Sequence, residues 1–242
     1  MRRVFVAVAC SLTVCCGSAG PIVTRVKARP AAPTIAIEPG EHPLGLGPPK
    51  TRRDGTLYIP RTAASHAVPL LVLLHGGGGR ANYFRFTFPL AEELGVVVLT
   101  LDSRDNTWDG IDSPYGPDVV FLDTALRHTF QRVAIDPRRV ALGGISDGAS
   151  YALSLGMANG DLFTHLVAVS PGFIAPPSPP VGRPVIFVAH GTRDNVYSVD
   201  GTRRHIVPRL KDSGYDVTYR EFDGPHSMLP PTAREVMEWL VR

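Results

Sequence analysis

Four short stretches of this chain set reactive side chains among glycines: His75-Gly76-Gly77-Gly78-Gly79, Gly143-Gly144-Ile145-Ser146-Asp147-Gly148, Ala189-His190-Gly191-Thr192-Arg193-Asp194 and Asp223-Gly224-Pro225-His226-Ser227. A serine hydroxyl is a weak nucleophile at neutral pH and needs a base. An imidazole with a pKa of about 6.5 suits that task, and a carboxylate can hold the imidazole in one tautomer. Gly144-x-Ser146-x-Gly148 supplies the small neighbours that a serine on a sharp strand-to-helix turn requires. The stretch lacks the lysine of a phosphate loop and a full Gly-x-Gly-x-x-Gly. Ser146 is therefore the candidate nucleophile, His226 the base and Asp194 the carboxylate. Ser103 and Ser170 also follow apolar runs but have no flanking glycines; His75 and His190 compete for the role of base, Asp200 and Asp223 for that of acid. Charge building on a carbonyl oxygen calls for backbone N–H donors. Asp147, next to the serine, and Gly77 in the glycine run are the candidates, with Gly76 and Gly78 as alternatives to Gly77.

Each stretch follows a segment that reads as a strand. Pro69 to Leu74, Val96 to Leu99, Val140 to Leu142, Leu166 to Val169 and Val185 to Val188 are continuously apolar, as strands buried on both faces are. A shorter strand is expected over 216–222. Helices are expected over 80–94, 117–131, 148–158, 200–213 and 232–241. The alternation predicts an α/β fold with a doubly wound, mostly parallel sheet flanked by helices. Ligands bind such sheets beyond the carboxyl ends of the strands, where the four stretches fall. Trp108, in the loop 103–109, and His75 are candidate walls of a substrate pocket. Tyr83, Phe84, Phe86 and Phe88 could receive an apolar acyl group or pack a helix. Proline density between Pro171 and Pro184 argues against a large helical lid.

The four motifs in this order resemble the α/β-hydrolase superfamily, and within it the phospholipase/carboxylesterase and polyhydroxybutyrate-depolymerase-like esterases. The resemblance spans about residues 54 to 242. It implies a serine carboxylesterase working through an acyl-enzyme on a small-molecule ester of short to medium chain length, with no metal or organic cofactor. The same triad would also serve a serine peptidase or acyl-peptide hydrolase. A binding lipoprotein that keeps the fold without catalysis is the reading from another class.

The chain has 242 residues, 44% hydrophobic and 19% charged, which excludes a wholly disordered chain and a polytopic membrane protein. Its net charge of +3 is unevenly spread: residues 1–53 hold eight of the 25 basic residues and two of the 22 acids, leaving 17 bases against 20 acids beyond. A mildly acidic body is not a nucleic-acid binder. Residues 1–20 read as an export signal, with Arg2 and Arg3 before a short apolar run and small residues. All three cysteines lie there. Leu12-Thr13-Val14-Cys15 resembles a bacterial lipoprotein box, which would anchor the chain to a membrane through Cys15 or Cys16; ordinary cleavage near Ala19 is the alternative. Both place the protein outside the bacterial cytoplasm, secreted, periplasmic or membrane-tethered. Seven prolines between residues 21 and 50 predict an extended tether over 21–51, with the catalytic domain over 52–242.

Overall fold

The computed structural model describes residues 22–47 and 53–242. The expected export signal over 1–20, with Cys15 and Cys16, lies outside the described residues.

Eight strands form one sheet: β1 (Gly40–Pro43), β2 (Gly55–Ile59), β3 (Val68–Leu74), β4 (Val97–Leu101), β5 (Ile135–Ile145), β6 (His165–Val169), β7 (Val185–Gly191) and β8 (Val217–Phe222). Their spatial order is β1-β2-β4-β3-β5-β6-β7-β8. The six strands from β4 across to β8 run parallel, and β2 is antiparallel to both of its neighbours. The fold class is the expected one, α/β with a mostly parallel sheet between helices.

The apolar runs are continuous because both faces of the sheet are covered. Successive strand side chains point to opposite faces. Leu70, Val72 and Leu74 of β3 accordingly join one core cluster, while Leu71 and Leu73 join the other. The first cluster is completed by helices α2 (Pro117–Phe130) and α3 (Asp147–Ala158). The second is completed by α1 (Phe88–Leu94) and the final helix over Pro230–Val241.

Two expected helices are subdivided, both at a proline. The segment expected as a helix over 80–94 is a 3-10 turn, Ala81–Thr87, followed by α1, with Pro89 in the first turn of α1. Pro89 has no N–H, and its ring would strike the carbonyl four residues back, so an α-helix can begin there but not run through. The segment expected over 200–213 starts as α4 (Val199–Gly201), widens into a π-helical turn over Thr202–Ile206, and continues as α5 (Val207–Asp212), whose first turn holds Pro208. The helix over Pro230–Val241 is α6.

The N-terminal segment differs from the expected tether. Before β1 it forms no helix or strand, as its prolines require, but it lies on the body, so the body begins well before residue 52. Val26 and Ala28 are 1% and 2% exposed. The backbone N–H groups of Lys27 and Ala28 donate to Asp123 Oδ1, both at 2.6 Å, and those of Thr34 and Ile35 donate to the Gln131 carbonyl. β1 then adds to the edge of the sheet beside β2, a place that tolerates Pro39 just before it and Pro43 as its last residue. Arg25 and Arg29, counted above with a basic tether, both pair with Asp161 of the body.

Candidate active site

β5 ends in Gly-Gly-Ile, and Ser146 turns the chain into α3 with φ 57° and ψ −120°. A non-glycine residue in that region is strained and persists only where its surroundings dictate it. Gly144 and Gly148 dictate it here. A Cβ on Gly144 would stand 2.4 Å from the Leu74 carbonyl oxygen, and one on Gly148 only 2.1 Å from the same atom. The turn therefore presses against the end of β3, and the serine side chain is pushed up into the cavity above the strand ends.

His226 arrives on the loop after β8. Its Nδ1 lies 2.7 Å from Asp194 Oδ2. The Asp194 side chain, on the loop after β7, is fully buried and that of His226 is 16% exposed. Asp194 Oδ1 accepts the N–H groups of Val196 and Tyr197, each at 2.9 Å. Burial alone would raise the pKa of Asp194. The hydrogen bonds from His226, Tyr197 and Val196 outweigh that and bring it below the usual carboxylate range. An ionised Asp194 takes the hydrogen of His226 Nδ1, leaving Nε2 free to accept a proton.

The rivals have other occupations. Asp200 pairs with Arg203, and Asp223 pairs with Arg193 at the surface. Ser103 donates to the Asp105 carbonyl. Ser170, also at positive φ (51°), is fully buried, with its hydroxyl beside the Asp194 carboxylate. His190 is a second imidazole on Asp194: its Nε2 lies 3.2 Å from Oδ2 and 2.9 Å from the Tyr197 carbonyl oxygen. Both partners only accept, so Nε2 carries a hydrogen, and Nδ1 faces the Thr202 hydroxyl at 2.8 Å.

His75 holds the glycine loop. Its Nε2 accepts the Ser103 N–H at 3.1 Å, so Nδ1 carries the hydrogen and donates to the Gly76 carbonyl at 2.7 Å. Burial pushes the pKa of this imidazole down. The N–H groups of Gly78 and Gly79 are engaged by the Asn106 and Gly76 carbonyls, which removes them as donors to a ligand. Gly77 lies against Asp147, whose Oδ2 would be 2.7 Å from an added Cβ.

Trp108 is not a pocket wall. It is 1% exposed, packs between the rings of His75 and Tyr151, and donates its Nε1 hydrogen to the His75 carbonyl at 2.8 Å. Two buried carboxylates also support its loop. Asp109 collects the Tyr151 hydroxyl and the Gly116 and Asp118 N–H groups, and Asp118 collects the N–H groups of Arg104 and Asp109. Burial raises both pKa values, that of Asp118 to about 6. Of the four candidate acyl-binding aromatics, Phe84 and Phe88 are core. Tyr83 alone borders the cavity.

The cavity has a volume of about 460 Å³ and is bordered by His75, Gly76, Gly77, Ser146, Asp147 and His226, with Tyr83, Val196, Tyr197 and Ser227 toward its rim. Sequence reasoning missed three contacts here. The Thr107 hydroxyl donates to Asp147 Oδ2 at 2.6 Å, the Tyr83 hydroxyl meets Ser227 Oγ at 2.9 Å, and Tyr83 also accepts the Met228 N–H at 3.0 Å. Among the described residues, no group of three or more His, Cys, Asp or Glu side chains could hold a metal ion.

Parallel strands that deliver a strained serine and a carboxylate-bound histidine to one cavity define the α/β class of hydrolase folds. The alpha/beta hydrolase family profile matches residues 71–242, and the chain belongs to that family. No curated protein sequence matches it. Among solved structures, esterase PE8 has a TM-score of 0.62 at 19% identity, covering 78% of this chain and 98% of its own. The Bacillus cereus carboxylesterase has a TM-score of 0.58 at 19% identity over 78% and 94%. The fluorophosphonate-binding serine hydrolase F of Staphylococcus aureus reaches 0.67 at 14% identity over 85% and 100%. At these identities the likeness is one of fold.

Proposed function

We propose that the protein hydrolyses carboxylic esters through a covalent acyl-enzyme on Ser146. The observation that carries this reading is the strained serine opening into the same cavity as an imidazole fixed by a buried carboxylate. His226 Nε2 takes the hydroxyl proton as Ser146 Oγ attacks the ester carbonyl. Asp194 holds the imidazolium that forms, and the oxyanion is received by the N–H groups of Gly77 and Asp147. The imidazolium then protonates the departing alcohol, and water repeats the cycle on the acyl-serine. Each N–H donor is worth about 3 to 4 kcal/mol to such a transition state. Esterases among the structures of like fold support the reading. The cavity volume suits acyl chains of short to medium length. No helix covers it from the 171–184 segment, whose backbone is tied down by the Ser150 and Ser154 hydroxyls at Gly172 and Ala175.

The test is hydrolysis of p-nitrophenyl esters of increasing chain length by the wild type and Ser146→Ala, together with fluorophosphonate labelling. We expect the variant to lose activity by on the order of 10⁴-fold or more, and to lose labelling, at unchanged stability. Equal hydrolysis by both proteins sinks the assignment, and hydrolysis of anilides in preference to esters moves it to a peptidase.

A further inference from the structure

The residue after the nucleophile contributes its backbone to the mechanism above, and its side chain is left for another purpose. The Asp147 carboxylate borders the cavity. It is held in place by the Thr107 hydroxyl at 2.6 Å and by the close backbone of Gly77. Many acids of this molecule are neutralised by an arginine, as Glu41, Glu92 and Glu221 are. Asp147 has no ion pair among the described residues, and no lysine or arginine borders the cavity. Arg53 and Arg80 are turned to Ser103 and Asp102. The Tyr83 and Tyr197 rings also line this space.

We propose that the cavity selects esters bearing a positive charge close to the scissile bond, a quaternary or protonated amine, with the Asp147 carboxylate as the specificity-determining group. The inference rests on the ester-hydrolase reading. A carboxylate with tyrosine faces beside it attracts a cation by charge and by ring quadrupole, and it disfavours an anion placed at the same distance. The Tyr197 phenol is raised first by burial, then by the charges of Asp147 and Asp194. A purely structural role for Asp147 would need only an acceptor for Thr107, and an amide oxygen serves that equally.

The experiment uses two matched ester pairs on the full chain. One, a thioester, carries the charge on the leaving-group half: S-(2-trimethylammonioethyl) thioacetate against its uncharged S-(3,3-dimethylbutyl) isostere. The other carries it on the acyl half: p-nitrophenyl 4-(trimethylammonio)butanoate against the 5,5-dimethylhexanoate. The readout is the ratio of kcat/KM within a pair, which cancels general losses of catalysis. We expect a wild-type ratio of about ten or more in at least one pair, the factor that a partly exposed ion pair supplies. The ratio should fall with added salt, collapse toward one in Asp147→Asn and survive in part in Asp147→Glu. A wild-type ratio of one or less in both pairs overturns the proposal and leaves the esterase standing. So does a ratio insensitive to salt, or one unchanged in Asp147→Asn. If neither member of either pair is hydrolysed and Ser146 is not labelled by fluorophosphonate, the esterase reading falls and takes this one with it.

Discussion

Ser146 is held in its left-handed conformation by backbone, not by side chains that could step aside. The atoms that an added Cβ on Gly148 would strike are the carbonyl oxygens of Leu74 and His75, at 2.1 and 2.5 Å. Neither can yield without moving the end of the central strand. Gly148→Ala should therefore lower stability by about 3 kcal/mol or more, the upper range for overpacking, and should abolish fluorophosphonate labelling. Urea denaturation and labelling measure the two effects, and a well-folded, labelled variant would contradict the steric account. The elbow was legible in the sequence because its requirement is local: two glycines, two residues either side of a serine. Asp194 and His226 were legible because the order of strand ends is also a sequence property. Thr107 and Tyr197 were not, and of Tyr83 only the ring was, as one of four aromatics that could meet an acyl group or pack a helix. Their partners lie across the fold, 40 residues away for Thr107 and 144 for Tyr83, and a loop hydroxyl has no periodicity to announce it. Trp108 was misplaced for a related reason, since a large ring in a loop after a strand end can face the cavity or the core, and composition does not distinguish them.

At the scale of elements, the segment 22–47 is the instructive case. Proline content argues against a helix, but that says nothing about whether the chain has somewhere to lie. It lies on α2 and α3 because side chains of those helices meet its otherwise unpaired backbone. Asn159, fully buried at the end of α3, accepts the Val26 N–H at 2.8 Å and donates Nδ2 to the Thr24 and Leu155 carbonyls at 2.9 Å. Asn159→Ala strands these groups and should cost about 2 to 3 kcal/mol. Trypsin should also cut faster after Arg25 and Lys27; an unchanged cleavage rate would mean that the segment is held chiefly by Val26 and Ala28. The parallel strands were far easier to read, because burial on both faces makes them continuously apolar. β1, Gly-Glu-His-Pro, has a half-exposed edge pattern that no hydrophobic count detects.

For the whole molecule, the buried carboxylates that hold the Trp108 loop set a pH dependence of unusual sign. Asp118, pushed up to about 6, keeps its proton in the fold at pH values where the unfolded chain, titrating near 3.8, has lost it. Its contribution to stability is full below the unfolded value and declines as pH rises through the folded one. The stability of wild type relative to Asp118→Asn should accordingly drop by on the order of 2 kcal/mol between pH 4 and 6.5, and stay level above pH 7. Comparing the two proteins cancels His75, His128 and His165, whose lowered values make the fold more stable with rising pH below the ordinary histidine range. A difference that rises with pH would reverse the assignment of Asp118 as the raised group.

The placement of Trp108 has a spectroscopic consequence. The chain contains two tryptophans. The other, Trp239, packs against His165 and Phe187 on α6. With Trp239→Phe, the remaining indole is a fluorophore one hydrogen bond from the backbone of His75, immediately before the glycine loop. It is sealed from solvent quenchers and in contact with an imidazole whose protonation alters emission. Formation of the proposed acyl-enzyme can thus be followed in Trp239→Phe without a chromogenic substrate or an attached dye.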